Sequence, residues 1–330
     1  MEPYWSGVRR QVRSPWLAAA SGRAAEDPFD HCALHYVGDQ EYLEGTVPFI
    51  DAALAAGDPV AVAVPGPSLR LLRGALGDAV QHVQMLDMAE VGANPGCIIT
   101  KVLRDFADRH AGRRVHLIEE PTWPARTAAE YPACALHEAL VNLAFTGRDA
   151  AILCPYDCAG LQAQWIADSQ ATHPMLVDRA GRRPSRSYDP DRVIADSNRP
   201  LDPRPWTAIE RQVDRDTIDN ARWFATSYGR SAGLGSLQLV DLEIAVTELA
   251  TLCVLYGGGA GTIRLWSDKK QLLCEVEGIG PLTDPLAGHR PFTEDHAQGR
   301  SLLMVHHVVD LLRTYTGPCG TTARFHLRLP

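Results

Sequence analysis

The sequence predicts an α/β protein with two domains. The chain has 330 residues, of which 45% are hydrophobic, and this is enough to form two cores. Short apolar runs alternate with longer amphipathic stretches over the first half. Residues 178–205 then shift to Arg, Pro, Asp and Ser, and a second half with its own strands and helices follows. We expect a three-layer α/β domain at 30–177 and a two-layer α/β sandwich at 206–330.

In the first domain, the predicted strands are short apolar runs that end at turn residues. They cover 32–36, 60–64, 83–86, 115–118 and 151–154. Between them, apolar residues recur at the helical period. These predicted helices cover 41–56, 69–76, 98–111 and 128–144. Alternation of strand and helix is typical of a mainly parallel sheet with helices on both faces.

The segments around this domain lack such periodicity. Residues 1–29 mix Arg, Ser, Ala and Gly, and we interpret them as a flexible arm. Residues 178–205 are rich in charge and proline, which predicts a semi-extended linker.

The second domain begins with two predicted helices, at 214–228 and 239–256, and Gly257 to Gly259 end the second of them. Predicted strands at 262–266 and 271–276 form a hairpin around Asp268. A loop rich in Pro, Gly and His follows. A helix at 300–312 and a strand at 322–329 complete the domain.

Composition excludes several classes of function. The net charge of −8 does not favour binding to nucleic acid. The chain has no run of about 20 apolar residues and no apolar segment near its start, so we expect neither a membrane span nor a signal peptide. Eight scattered cysteines suit reduced thiols better than disulfides. These features predict a cytoplasmic protein.

Three motifs of the second domain resemble the GHKL (histidine-kinase-like) ATPase fold of bacterial anti-sigma factor serine kinases. They are Glu248-Leu249-Ala250-Thr251-Leu252, Glu277-Gly278-Ile279-Gly280-Pro281 and Gly299-Arg300-Ser301-Leu302. In that family, the first motif supplies a Glu general base and a magnesium-binding Asn. The second supplies an Asp that binds the adenine amino group. Backbone N–H groups of the third meet phosphate at a helix start.

This sequence departs from the family at the two most discriminating positions, because Leu252 replaces the Asn and Gly278 replaces the Asp. An apolar side chain cannot bind magnesium. The resemblance therefore implies a degenerate nucleotide site, with Glu248 as a vestigial base. Its other members are Thr251, Gly280, Gly299, Arg300 and Ser301. We expect no cofactor, or only weak binding of ATP and magnesium. Restoring Asn and Asp at the two positions is expected to raise affinity if the frame is intact.

Two of these residues also have plain structural interpretations. Glu248 can be a solvated helix residue, and Gly299 can mark an ordinary helix N-terminus.

Four motifs of the first domain resemble the MEDS sensory domain. They are Thr46-Val47-Pro48-Phe49, Glu120-Pro121-Thr122-Trp123, His137-Glu138-Ala139-Leu140-Val141-Asn142 and Cys154-Pro155-Tyr156-Asp157. That family occurs in regulators of one-carbon metabolism and is often fused to anti-sigma kinase domains. It is thought to be related to RecA-type folds, so the resemblance implies a RecA-like domain. The P-loop pattern GxxxxGK[ST] is absent from the sequence.

The polar residues of these motifs fall at or beside predicted strand ends, where ligands of open α/β sheets bind. We expect a sensory pocket for a small-molecule signal. Its members would be Glu120, Trp123, His137, Glu138, Tyr156 and Asp157. The alternative is that His137 and Glu138 are buried partners of each other or of the backbone, and that Trp123 belongs to the core.

A zinc site is a further alternative, suggested by thiols and imidazoles near two strands. The residues concerned are His31, Cys32, His35, Cys154 and Cys158. Their spacing is not the tight CxxC of recurrent zinc sites, so we expect no metal.

The resemblances together imply a transcriptional regulator in which a sensory domain controls a degenerate anti-sigma-like module. The partner would be a sigma factor or an anti-sigma antagonist protein. One alternative is an active serine/threonine kinase that uses ATP and magnesium. Another is a sensor or scaffold whose second domain only forms a homodimer.

Overall fold

The computed structural model describes residues 27–291 and 297–330. All but the last three residues of the predicted arm at 1–29 lie outside these ranges. The described residues form a seven-stranded sheet and a separate five-stranded sheet, so the α/β class with two domains is confirmed. Within the described residues, no helix is long and apolar enough to cross a membrane.

The sheet of the first domain is parallel except for its last strand, which pairs antiparallel with its neighbour. Its order is β3-β2-β4-β5-β1-β6-β7. The strands are β1 (Asp30–Tyr36), β2 (Val60–Val64), β3 (Val83–Asp87), β4 (Val115–Glu119), β5 (Ala150–Asp157), β6 (Met175–Asp178) and β7 (Gly181–Pro184). The five strands predicted from the sequence are all present.

Helices cover both faces of this sheet, because successive strand residues point to opposite faces and both sets are apolar. The helices are α1 (Gly38–Ala56), α2 (Gly66–Leu76), α3 (Met88–Val91), α4 (Asp105–Arg109), α5 (Tyr131–Ala144), α6 (Ala163–Thr172) and α7 (Pro190–Ser197). One core lies beneath α1 and α2. The other lies beneath α4, α5 and the π-helical stretch Ile99–Arg104 that precedes α4. The domain therefore has three layers.

The linker predicted at 178–205 is not a tether in the structure. Its first part forms β7, which pairs with β6. Its middle part forms α7, whose Val193 is buried against alanines of α5 and α6. Its last part lies on the second domain, where Arg324 donates to the carbonyl of Asp202. The sequence does not reveal these elements, because the segment is rich in charge and α7 buries little more than one side chain.

The second domain is an antiparallel sheet with its helices packed on one face, so the two-layer sandwich is confirmed. Its strands are β8 (Ile209–Asp214), β9 (Ala260–Ser267), β10 (Gln271–Ile279), β11 (Leu311–Gly317) and β12 (Gly320–Arg328), in the order β11-β12-β10-β9-β8. Its helices are α8 (Ile218–Ala232), α9 (Ser236–Tyr256) and α10 (Ala297–Val308). Helix α10 ends at Val308, before the predicted end at 312. Leu311 and Leu312 begin a strand that the sequence analysis missed.

Candidate functional site

The three motifs of the predicted nucleotide site meet in the second domain. Glu248 lies on α9, Gly278 and Gly280 lie near the end of β10, and Ser301 lies in the first turns of α10. Ser301 Oγ donates a hydrogen bond of 2.6 Å to Glu248 Oε2. The residue in the place of the family's base is therefore engaged by a neighbouring helix.

The other site residues on α9, Leu252 and Thr251, make contacts within the domain. Leu252 is only 1% exposed and belongs to the core of the domain. Thr251 Oγ1 donates to the carbonyl of Thr247 at 2.7 Å, one turn earlier in the same helix. Arg300 is exposed near the start of α10.

Glycines at the ends of α9 and β10 allow the helix to pack directly on the strand. A Cβ atom on Gly257 would lie 1.6 Å from the carbonyl oxygen of Gly278, and one on Gly280 would lie 2.2 Å from that of Tyr256. Gly278 has φ +104°, and its Cβ would lie 2.9 Å from the backbone of Ala260 and Gly261. A side chain at 278 would therefore be strained.

In the first domain, the structure divides the predicted sensory residues between opposite faces of the sheet. His137, Glu138 and Tyr156 lie on the face covered by α5, where Tyr156 donates to Glu138 Oε1 at 2.6 Å. Glu120 and Asp157 follow the alternation to the other face, where Glu120 interacts with Asp157 and with Tyr42 of α1. The six residues do not converge on one pocket.

Trp123 is partly buried and packs against the core on the α5 face, as the alternative interpretation expected. The guanidinium of Arg126 stacks over its ring, with Cζ 3.9 Å from the ring centroid. Arg126 is buried and donates to the carbonyls of Pro121, Gly92 and Ala93. This arrangement fixes the chain after β4 in place.

His137 pairs with Glu119 and not with Glu138, which is a variant of the buried-partner alternative. The distance from His137 Nε2 to Glu119 Oε2 is 2.9 Å, and both side chains are buried. Burial raises the pKa of Glu119, while the nearby His137 opposes that rise. The sequence analysis did not include Glu119. A carboxylate at the end of a buried apolar strand needs a hydrogen-bond partner, and this signal could have identified it.

Glu138 faces two other histidines. Its Oε2 lies 3.5 Å from His31 Nε2 and 3.3 Å from His173 Nε2. Cys154 Sγ lies 3.5 Å from His31 Nε2. The ligand atoms of these four buried residues all lie within 4.8 Å of one another. They are a set that could hold a metal ion, and His173 is the member that the sequence analysis did not consider.

The remaining residues of the zinc alternative lie elsewhere. Cys32 points to the opposite face of the sheet, His35 Nε2 is 2.8 Å from Ser169 Oγ, and Cys158 is exposed.

Glu120 is buried at the carboxyl edge of the sheet. Burial raises the pKa of its carboxyl group to about 8, and the nearby Asp157 adds to the rise. Its Oε2 has no hydrogen-bond partner.

The two domains meet where the 3₁₀ turn Pro95–Cys97 contacts α10. Asn94 Nδ2 donates to the carbonyls of His306 at 2.8 Å and Val309 at 3.0 Å. Cys97 Sγ donates to the His306 carbonyl at 2.9 Å. Leu286, from the segment between β10 and α10, is part of the core of the first domain. Residues 282–289 are thus held by the first domain.

A cavity of about 290 Å³ lies beside this contact. Its wall combines α5 and α7 of the first domain with the 282–289 segment, α10 and β11 of the second. Leu136, Ile194, Leu282 and His306 are among the lining residues. None of the predicted sensory residues lines it.

Comparison with known families agrees with the two resemblances. Residues 30–174 match MEDS, the methanogen/methylotroph, DcmR sensory domain. Residues 212–327 match the histidine kinase-like ATPase domain. A sensory domain joined to a kinase-like ATPase domain defines a signalling regulator. The chain contains a MEDS domain followed by a histidine kinase-like ATPase domain. No curated protein matches the chain.

Proposed function

We propose that this protein is a transcriptional regulator whose MEDS domain controls a degenerate, anti-sigma-like module through the contact between the domains. The module would bind a sigma factor or an anti-sigma antagonist protein without phosphorylating it. All eight cysteines are free, which suits the reducing conditions of the cytoplasm, where such a regulator would act.

The observation that carries this proposal is the packing of Leu252. Its side chain fills the core between α9 and the sheet, at the position where the related kinases hold magnesium. Metal-bridged phosphates need an oxygen ligand there, and a buried leucine offers none. The hydrogen bond from Ser301 to Glu248 supports the same conclusion, because it occupies the carboxylate that would activate a substrate hydroxyl.

The contact between the domains gives a signal a route to the module. The 282–289 segment and α10 are bound by the first domain at Asn94 and Gly96. They also form part of the wall of the interdomain cavity. A small molecule in this cavity would touch both domains, and it would shift their arrangement if it bound one arrangement better than another.

Two exposed apolar side chains of the second domain support a partner-binding role. Trp223 on α8 is 69% exposed and Leu237 at the start of α9 is 81% exposed. Large exposed apolar side chains are enriched at protein interfaces. The net charge of −8 favours a basic partner, such as a sigma factor region that otherwise binds DNA.

A calorimetric titration of the full chain with ATP and magnesium tests the loss of the nucleotide site. We expect no measurable heat at protein concentrations that detect binding in the micromolar range. A dissociation constant in that range, together with phosphate transfer to a partner, would instead establish the active kinase.

Pairwise binding tests against the sigma factors and antagonist proteins of the source cell test the partner class. We expect one of them to bind the full chain, and Trp223→Ala to weaken that complex at least tenfold without loss of folding. Trp206→Ala is the matched control, because Trp206 is also exposed but lies outside the helices. If only self-association of the chain is observed, the scaffold alternative holds.

A further inference from the structure

Four side chains from four elements of the first domain meet at one buried point. His31 comes from β1, Glu138 from α5, Cys154 from β5, and His173 follows α6. All four are buried. Two of the facing atoms, Glu138 Oε2 and His173 Nε2, have no hydrogen-bond partner. Buried polar atoms are rarely left without a partner, so these two atoms call for a bound group between them.

The hydrogen bonds behind His173 determine what its facing nitrogen can offer. His173 Nδ1 lies 2.8 Å from the backbone carbonyl of Ser169. A carbonyl only accepts, so Nδ1 carries a hydrogen. When the ring is neutral, as a metal-bound imidazole must be, Nε2 presents a lone pair to Glu138.

The same reasoning applies to His31 through Asn142. The amide nitrogen of Asn142 donates to the carbonyls of Glu138, Ala139 and Thr172. Its Oδ1 therefore faces His31 Nδ1, at 3.1 Å, and accepts from it. His31 Nε2 thus also presents a lone pair to the carboxylate. Tyr156 donates to the other oxygen of Glu138 and fixes the orientation of the carboxylate.

Two imidazole lone pairs and a carboxylate oxygen then face one another as hydrogen-bond acceptors. The thiol of Cys154 is a weak donor and can donate to only one of them. One divalent cation would satisfy the four atoms at once. With the thiol deprotonated, the charges of Cys154 and Glu138 cancel the charge of the ion, which reduces the cost of burying it.

Three of the six separations between these atoms match the edges of a tetrahedral zinc site, and the other three are within 4.8 Å. Zinc binds nitrogen or oxygen at about 2.0–2.1 Å and sulfur at about 2.3 Å, so the edges of its tetrahedron are about 3.3 to 3.6 Å long. The observed separations are 3.3 Å for Glu138 to His173, 3.5 Å for Glu138 to His31, and 3.5 Å for His31 to Cys154. Hydrogen bonds to the far nitrogen of each histidine are the usual support of metal-binding imidazoles.

We propose that His31, Glu138, Cys154 and His173 bind one Zn²⁺ ion. The site is closed, since four protein ligands leave no position for a substrate, and closed sites of this kind are structural. The ion joins β1, β5, α5 and the end of α6 into one unit. The ligands are far apart in the sequence, which explains why they form no short motif.

Metal analysis of the full-length protein tests this proposal. After expression with added zinc and extensive dialysis, we expect about one equivalent of zinc per chain. X-ray absorption of that protein should show one sulfur and three nitrogen or oxygen ligands. Zinc content below about 0.2 equivalents, with no change of Tm on addition of zinc or a strong chelator, would overturn the proposal. That result would favour a proton shared between Glu138 and a histidine.

Substitution of cobalt for zinc identifies the ligands. A Co²⁺–thiolate bond gives a charge-transfer band in the near ultraviolet, and we expect Cys154→Ser to abolish it. Cys32→Ser is the matched control, because Cys32 is equally buried but lies on the opposite face of the sheet. A band that survives in Cys154→Ser, or that vanishes in Cys32→Ser alone, would place the metal elsewhere and refute the assignment. If Cys154→Ser does not fold, the sulfur count from X-ray absorption of the wild-type protein decides.

Discussion

At the scale of single residues, Glu120 is the clearest case of a side chain whose environment sets its chemistry. Its carboxyl group is buried beside Asp157, and its pKa is raised to about 8 from 4.5. The unfolded chain releases this proton near pH 4.5, whereas the folded chain keeps it to about pH 8. The folded state therefore becomes less stable as the pH rises between these values, because the unfolded state binds fewer protons there.

We expect Glu120→Gln to remove this loss. Relative to the wild type, the variant should gain roughly 2–4 kcal/mol of unfolding free energy between pH 5 and pH 8. Urea unfolding at a series of pH values measures the difference. Glu44→Gln, on the exposed side of α1, is the control and should follow the wild type. Parallel pH curves for the wild type and Glu120→Gln would show that Glu120 is not protonated in the folded protein.

Leu252 provides a second test at this scale. Because its side chain is buried, Leu252→Asn should cost about 3 kcal/mol of stability, since it leaves an amide without partners in the core. Chemical unfolding measures the cost, and an ATP titration of the same variant should show no gain in affinity. Leu255→Asn is the matched control, being the same change on the same helix at a position that is 64% exposed.

The double restoration suggested by the sequence is therefore not expected to rebuild the nucleotide site. Gly278→Asp adds strain at φ +104°, and its Cβ would contact the backbone of Ala260. A folded double variant that binds ATP more tightly than the wild type would contradict this conclusion.

The sequence was most informative about which residues are polar within apolar surroundings, and least informative about which of them meet. His137, Glu138 and Tyr156 were recognised from motifs, yet Glu120 and Asp157 were grouped with them wrongly. The alternation of a β-strand places adjacent residues such as Tyr156 and Asp157 on opposite faces, and this rule would have separated them. The contacts of His173 depend on the tertiary fold and leave no local signal.

At the scale of elements, strong apolar periodicity predicts strands and helices correctly, whereas weak periodicity does not. The apolar run of β2 and the long helix α9 were predicted within a few residues. Strand β8 was missed because only one of its six residues is buried. Helix α7 was missed because it lies within a charged, proline-bearing segment and fully buries only one side chain, that of Val193.

Helix α7 can be distinguished from a tether by its contribution to stability. Val193→Ala should lower the unfolding free energy by about 1–2 kcal/mol, because the valine is buried against Ala135, Ala139 and Ala171. Thermal unfolding measures the effect. Asp196→Ala, which removes an exposed ion pair with Arg192 on the same helix, should change stability by less than about 0.5 kcal/mol. Equal and negligible effects of both substitutions would support the original tether interpretation.

At the scale of the whole molecule, the two domains were predictable from composition and motifs, but their contact was not. The residues that make it, such as Asn94, Gly96 and His306, are not themselves part of a recognised motif. Residues far apart in sequence are brought together only by the arrangement of two complete folds. The sequence therefore predicted that the domains must communicate, without showing that residues 282–289 are the part that the first domain holds.

Gly96 offers a way to disturb this contact without removing any polar group. A Cβ atom at this position would lie 2.0 Å from Nδ1 of the buried His306 ring, so Gly96→Ala should push the 3₁₀ turn away from α10. Hydrogen exchange of residues 282–289 and of α10 should become at least tenfold faster, while the strands of both sheets keep their protection. Gly74→Ala is the control, because a Cβ there meets nothing within 4 Å.

If the contact transmits the signal, Gly96→Ala should also make partner binding independent of whatever the MEDS domain senses, since coupling requires an interface that both sites bias. Faster exchange in Gly96→Ala with unchanged signal dependence would mean that the coupling runs through α7 and the residues that follow it.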